Sequence, residues 1–138
     1  MAIADFDGGN GLDLAVTDSG SVSVLLNLGG ATFAVAPMYT AGEVPLSVAI
    51  GDLDGVNGPD LAVANGASVS LLFNQGDGTF ADPIDYAGFG GSSIAIADFD
   101  GVNGPDLAVA NNASVSLLFN QGDGTFAAAA AYPSEAVA

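Results

Sequence analysis

Asp52-Leu-Asp-Gly-Val-Asn-Gly-Pro-Asp60 is the stretch that decides the fold. It returns as Asp98-Phe-Asp-Gly-Val-Asn-Gly-Pro-Asp106, and a looser copy opens the chain as Asp5-Phe-Asp-Gly-Gly-Asn-Gly-Leu-Asp13. Each copy is a polar, Gly-rich loop between two apolar runs, Val48-Ala-Ile50 before the middle one and Leu61-Ala-Val63 after it. Carboxylates stand at loop positions 1, 3 and 9. A loop of this kind either ties a tight turn or wraps a hard cation in oxygen ligands.

The copies set the period. From Asp5 to Asp52 is 47 residues, and from Asp52 to Asp98 is 46. Between Asp54–Ala81 and Asp100–Ala127 only Gly66 against Asn112 differs. The chain therefore reads as one repeat domain over residues 1–138, with approximate repeats 1–46, 47–92 and 93–138. Each repeat reads as four short strands: Val48–Ile50, Leu61–Ala64, Ser68–Phe73, and a fourth that starts at Thr79-Phe80. Val69, Leu71 and Phe73 alternate with Ser68 and Ser70, the period of two that a half-buried strand requires. Gly and Pro interrupt the chain too often for helices. The Ala127–Ala131 run has helical propensity, but its register is that of an outer strand, so it is expected to be extended. Four antiparallel strands in a unit of roughly 40–50 residues is the scale of a propeller blade. The expected fold is all-β, with three four-stranded antiparallel blades per chain.

Composition narrows the function. The chain has 16 acidic residues and no Lys, Arg or His, a formal net charge of −16. Nine of the 16 lie in the three loops, where no basic side chain can pair them. Such a cluster calls for water or bound cations. No side chain can neutralise a phosphate, so neither nucleic acid nor an anionic membrane is an expected partner. With no Cys and no His, the usual zinc and copper sites are excluded, and any metal should be hard and oxygen-bound. Catalysis finds no support, because a Ser here has no basic partner. The carboxylates belong to one repeated loop, which reads as structure and not as an acid–base pair. No apolar run approaches the length of a membrane span, and no signal peptide is visible before the first loop.

Asp-Phe-Asp-Gly-x-Asn-Gly-x-Asp-Leu-Ala-Val, a Val-rich strand, then Gly-Asp-Gly-Thr-Phe, resembles the FG-GAP/VCBS repeat of integrin-α-type β-propellers. The resemblance implies calcium in the acidic loops, one ion per repeat. It also implies an adhesive or structural role in an extracellular or cell-surface setting. The candidate ligands are Asp5, Asp7 and Asp13; Asp52, Asp54 and Asp60; Asp98, Asp100 and Asp106. The sequence departs from the family at position 5, where Gly9, Val56 or Val102 replaces the usual Asp or Asn. The neighbouring Asn10, Asn57 or Asn103, a carbonyl or water must then supply the missing oxygen. Repeat one, with Leu28-Gly-Gly-Ala-Thr32 in place of Gln-Gly-Asp-Gly-Thr, is expected to bind most weakly.

The alternative to metal is that Asp and Asn cap their own backbone in Asx turns. A second function class is a glycan-binding lectin, with Tyr39, Tyr86, Tyr132 and Phe89 as stacking platforms. Against it, regular Tyr spacing suits outer-strand packing. Three blades should not close a ring, since propellers carry roughly four to eight. Tyr132-Pro-Ser-Glu-Ala-Val-Ala138 followed by a second copy's Met1–Asp5 continues the repeat with two residues removed. The expected partner is thus a second copy, joined head to tail in a homodimeric ring of six blades, with a protein or glycan ligand on the loop face.

Overall fold

The computed structural model describes residues 1–134. It is all-β, with three four-stranded antiparallel sheets that follow one another along the chain. The first holds β1 (Ala2–Ala4), β2 (Asp13–Asp18), β3 (Ser21–Gly29) and β4 (Thr32–Thr40). The second holds β5 (Pro45–Gly51), β6 (Asp60–Asn65), β7 (Ser68–Leu72) and β8 (Ile84–Ala87). The third holds β9 (Ser93–Ala97), β10 (Asp106–Ala110), β11 (Ser114–Asn120) and β12 (Phe126–Pro133). Each sheet is a meander in which every strand pairs with its sequence neighbour. β1 adjoins β5 and β5 adjoins β9, as the innermost strands of successive propeller blades do.

The register explains the residue choices. Leu61 pairs with Ile50 and Leu72, and all three face the first blade. Ala62 pairs with Ala49 and Leu71, and these face the third. The middle blade is therefore apolar on both faces, and every residue of β6 is buried. Small Ala62 and Ala64 let the third blade approach. One core lies between blades one and two, built on Phe6, Val22, Val24, Leu61, Val63, Leu72 and Phe80. A second, between blades two and three, holds Leu53, Val69, Leu71, Leu107, Val109, Leu118 and Phe126.

The Ala127–Ala131 run lies in β12, as its register requires. The fourth strand of repeat two departs from expectation: Phe80 makes only an isolated bridge to Asn74, and the strand begins at Ile84. Blades one and three carry a β-bulge at this point, between Ser23/Leu25 and Ser116/Leu118. In repeat two Pro83 falls at this point and the ladder resumes only at Ile84, whereas Pro37 stands in the bulge of blade one without interrupting β4. The continuation of the repeat through Glu135–Ala138 falls outside the described residues.

Candidate metal loops

Each acidic loop joins the first two strands of its blade, and all three are built alike. Asp60, the first residue of β6, is buried. Its Oδ2 accepts the Leu53 N–H at 2.7 Å and its Oδ1 the Asn74 N–H at 2.8 Å. Asp13 does the same for Phe6 and Asn27, both at 2.7 Å. Asp106 does it for Phe99 and Asn120, both at 2.8 Å. The ninth carboxylate thus clips the start of its loop to the turn that follows the third strand.

Positions 1 and 3 form Asx turns. Asp52 Oδ1 accepts the Gly55 N–H at 2.8 Å, and Asp54 Oδ1 accepts the Val56 N–H at 2.9 Å. Asp5 and Asp7 do so for Gly8 and Gly9, and Asp98 and Asp100 for Gly101 and Val102. The backbone capping expected as an alternative to metal is therefore present. It engages one oxygen of each carboxylate and leaves Oδ2 for a further partner.

In each loop the three carboxylates bring one oxygen apiece within 4.8 Å of one another. Oxygens around one calcium ion, each about 2.3–2.6 Å from it, lie at most about 5 Å apart, so the donor set has the right span and hardness. Burial pushes the Asp60 carboxyl up to about 6, the N–H groups of Asn74 and Leu53 oppose that rise, and the charges of Asp54 and Asp52 add to it. A cation between the three would relieve both the burial cost and the repulsion. The Asn after position 5 turns elsewhere: Asn57 lies against the Gly76 turn, and Asn103 Nδ2 donates to the Asn120 carbonyl at 3.5 Å. Further oxygens would have to be carbonyls or water.

One set of residues behind the loops escaped the sequence reading. Asn74 accepts the Gly76 N–H at Oδ1, and its Nδ2 donates to the carbonyls of Pro59 and, across the blade boundary, Phe6, both at 3.0 Å. Asn120 repeats this toward Gly122, Pro105 and Leu53. The signal was an Asn at the same place in all three repeats: Asn27, Asn74 and Asn120. The tyrosines also act across the boundary. Tyr39 Oη accepts the Phe80 N–H at 2.9 Å and Tyr86 Oη the Phe126 N–H at 3.1 Å, with each ring edge-on to that Phe. Tyr39, Tyr86 and Phe89 are packed between blades and are not open platforms.

At the other end of β6 lies a cleft of about 470 Å³, lined by Glu43, Asn65, Gly66, Ser68 and Asp85 among others. Asn65 Nδ2 donates to Ser70 Oγ at 2.8 Å and Ser68 Oγ at 3.1 Å, and Ser70 Oγ donates to Asp85. Asn65 Oδ1 is buried and has no hydrogen-bond donor among the described residues.

Neither a protein-family model nor a curated protein matches the sequence. Among solved structures, the chain is similar to an Agrocybe aegerita lectin described as specifically recognising non-reducing terminal N-acetylglucosamine. The two share 21% identity over 94% of this chain and 37% of that one, with a TM-score of 0.65. A chain of the Photorhabdus luminescens Tc holotoxin pore is similar at 24% identity over 95% of this chain and 7% of that one, with a TM-score of 0.52. The protein spans well under half the length of either. Likeness at these identities shows the fold.

Proposed function

We propose that the chain is a non-catalytic β-propeller module of the FG-GAP/VCBS kind, with one calcium ion held in each acidic loop. Its role is structural or adhesive, in an extracellular or cell-surface setting. One observation carries the reading: the same three-carboxylate cluster forms at the same corner of all three blades, in a sequence with no cationic side chain. Repeat one is the weakest site, because Gly9 and Leu12 stand where repeat two has Val56 and Pro59. Its freer loop loses more entropy on closing around an ion.

Thermal melting tests this. A ligand bound only by the folded state adds about 2.7 kcal/mol per site at a hundredfold excess over Kd. Calcium should raise the melting temperature, chelator should lower it, and the double substitution Asp54→Asn with Asp100→Asn should remove most of the difference. A melting curve indifferent to both additions leaves the Asx turns as the loops' whole purpose.

The cleft supports a second reading, glycan binding. Glu43 and Asp85 are exposed in it and offer acceptors of the kind sugar hydroxyls need. The similarity to an N-acetylglucosamine-recognising lectin adds weight. Titration calorimetry with N-acetylglucosamine should show saturable heat that Glu43→Ala removes. No heat up to tens of millimolar sugar removes this reading and leaves the calcium reading standing.

A further inference from the structure

The two blade boundaries inside the chain are the same interface built twice. Each has a leading half from one blade and a trailing half from the next. The leading half supplies the residue at loop position 2 (Phe6, then Leu53), the outer-strand Tyr (Tyr39, then Tyr86) and a large side chain from the third strand (Leu26, then Phe73). The trailing half supplies the Phe whose N–H meets that Tyr (Phe80, then Phe126) and the Asn that reaches the position-2 carbonyl (Asn74, then Asn120).

The two ends of the arc carry one unmatched half each. Blade three ends in a leading half: Phe99, Tyr132 and Phe119 stand where Leu53, Tyr86 and Phe73 stand in blade two. Phe6 and Leu53 are 2% and 1% exposed, whereas Phe99 is 49% exposed and Tyr132 57%. Blade one begins with a trailing half. Phe33 is 41% exposed where Phe80 and Phe126 are buried, and Ile3 on β1 is exposed too. Asn27 Nδ2 donates to the Leu12 carbonyl, as Asn74 does to that of Pro59, but no blade of the described chain precedes it to take the second bond.

We propose that these ends bind each other in a second copy of the chain, head to tail, closing a six-bladed ring with twofold symmetry. Each seam then repeats the internal boundaries. Tyr132 Oη of one protomer accepts the Phe33 N–H of its partner, and Asn27 Nδ2 of the partner donates to the Phe99 carbonyl. The one irregular seam residue fits. Ala31 replaces the glycine found at positions 78 and 124; a Cβ there would press on Leu26 at 2.8 Å in the first boundary but lies 3.6 Å from Phe73 in the second, and Phe119 matches Phe73, so the seam has room for the Ala31 methyl. At the internal boundaries Asp7 and Asp54 lie against Gly78 and Gly124, so Asp100 beside Ala31 at a seam brings the carboxylate loops no nearer than they already are within the chain. For the 138-residue chain, two sets of three blades fall inside the propeller range of roughly four to eight and three sets fall outside it.

Sedimentation analysis of the 138-residue chain should give twice the 13.4 kDa chain mass, with and without calcium. Phe99→Asp blocks every leading half and Phe33→Asp every trailing half. Each variant alone should sediment as a folded monomer, its strand content checked by circular dichroism. Mixed in equal amounts, they retain one intact seam and should recover dimer. A wild-type monomer or trimer overturns the proposal, and so does a mixture that stays monomeric. If either variant unfolds, the more conservative pair Tyr132→Phe and Asn27→Ala should still weaken the dimer at least tenfold, and an unchanged dimer constant overturns the assignment of the seam.

Discussion

The nine loop carboxylates are not equivalent. Asp60 accepts two backbone N–H groups while buried, so it serves the fold with or without an ion. Asp54 is half-buried and makes one local turn. Asp60→Asn would point an NH₂ at a backbone N–H, leaving a buried donor unmet. It should cost about 2–3 kcal/mol in urea unfolding even without metal. Asp54→Asn should change metal-free stability little and remove the calcium increment at its own loop. A similar loss for both in chelator would contradict this division. The pH response follows from the same environment. Asp60 keeps its proton up to about 6 in the fold, against an ordinary 3.8. Between those values the folded state binds more protons than the unfolded chain, so its contribution to stability is full below about 4 and is lost as pH rises through about 6. In metal-free buffer, melting temperatures should fall over that window. With calcium the increment should instead grow above pH 6, because proton and ion compete for one carboxylate. A calcium increment of equal size at pH 5 and pH 7 would count against Asp60 as a ligand.

At the scale of the strand and its turns, the blade was legible and the joints were not. Alternation along Ser68–Phe73 gave the third strand, and Gly-Asp-Gly-Thr gave the turn after it, because both signals are local. The roles of Tyr86 and Asn74 were hidden because their partners lie in another repeat, Phe126 in one case and Phe6 in the other. Periodicity reports which face is apolar and is silent on which hydroxyl meets which N–H. Tyr86→Phe keeps the ring against Phe126 and deletes the acceptor. It should cost about 1–2 kcal/mol by urea titration. A neutral result would mean that the ring contact alone joins these blades. Ala31 is a second test. It has φ 61° where Gly78 and Gly124 have φ 82°, a left-handed conformation that costs a side-chain-bearing residue about 1–2 kcal/mol. Ala31→Gly should therefore raise the melting temperature, and a fall would show that the methyl group contributes packing that outweighs its strain.

At the scale of the molecule, repetition decided what the sequence could convey. A 46-residue period with acidic loops at one corner fixed the architecture and put three carboxylates within 4.8 Å of each other in every blade. The cleft beside Asn65 stayed invisible, since it depends on how the Gly42–Val44 segment passes over the β6–β7 turn. A chain of net charge −16 with no basic residue concentrates its self-repulsion where the loops lie. Salt screens such repulsion generally, whereas a coordinated ion relieves it at a fixed number of places. Equilibrium dialysis against calcium at about 0.15 M sodium chloride, where the screening length is about 8 Å, separates the two. The account predicts saturation at three ions per chain, two tight and one weaker, with one lost in Asp54→Asn. Uptake that never saturates, or none at millimolar calcium, would contradict it.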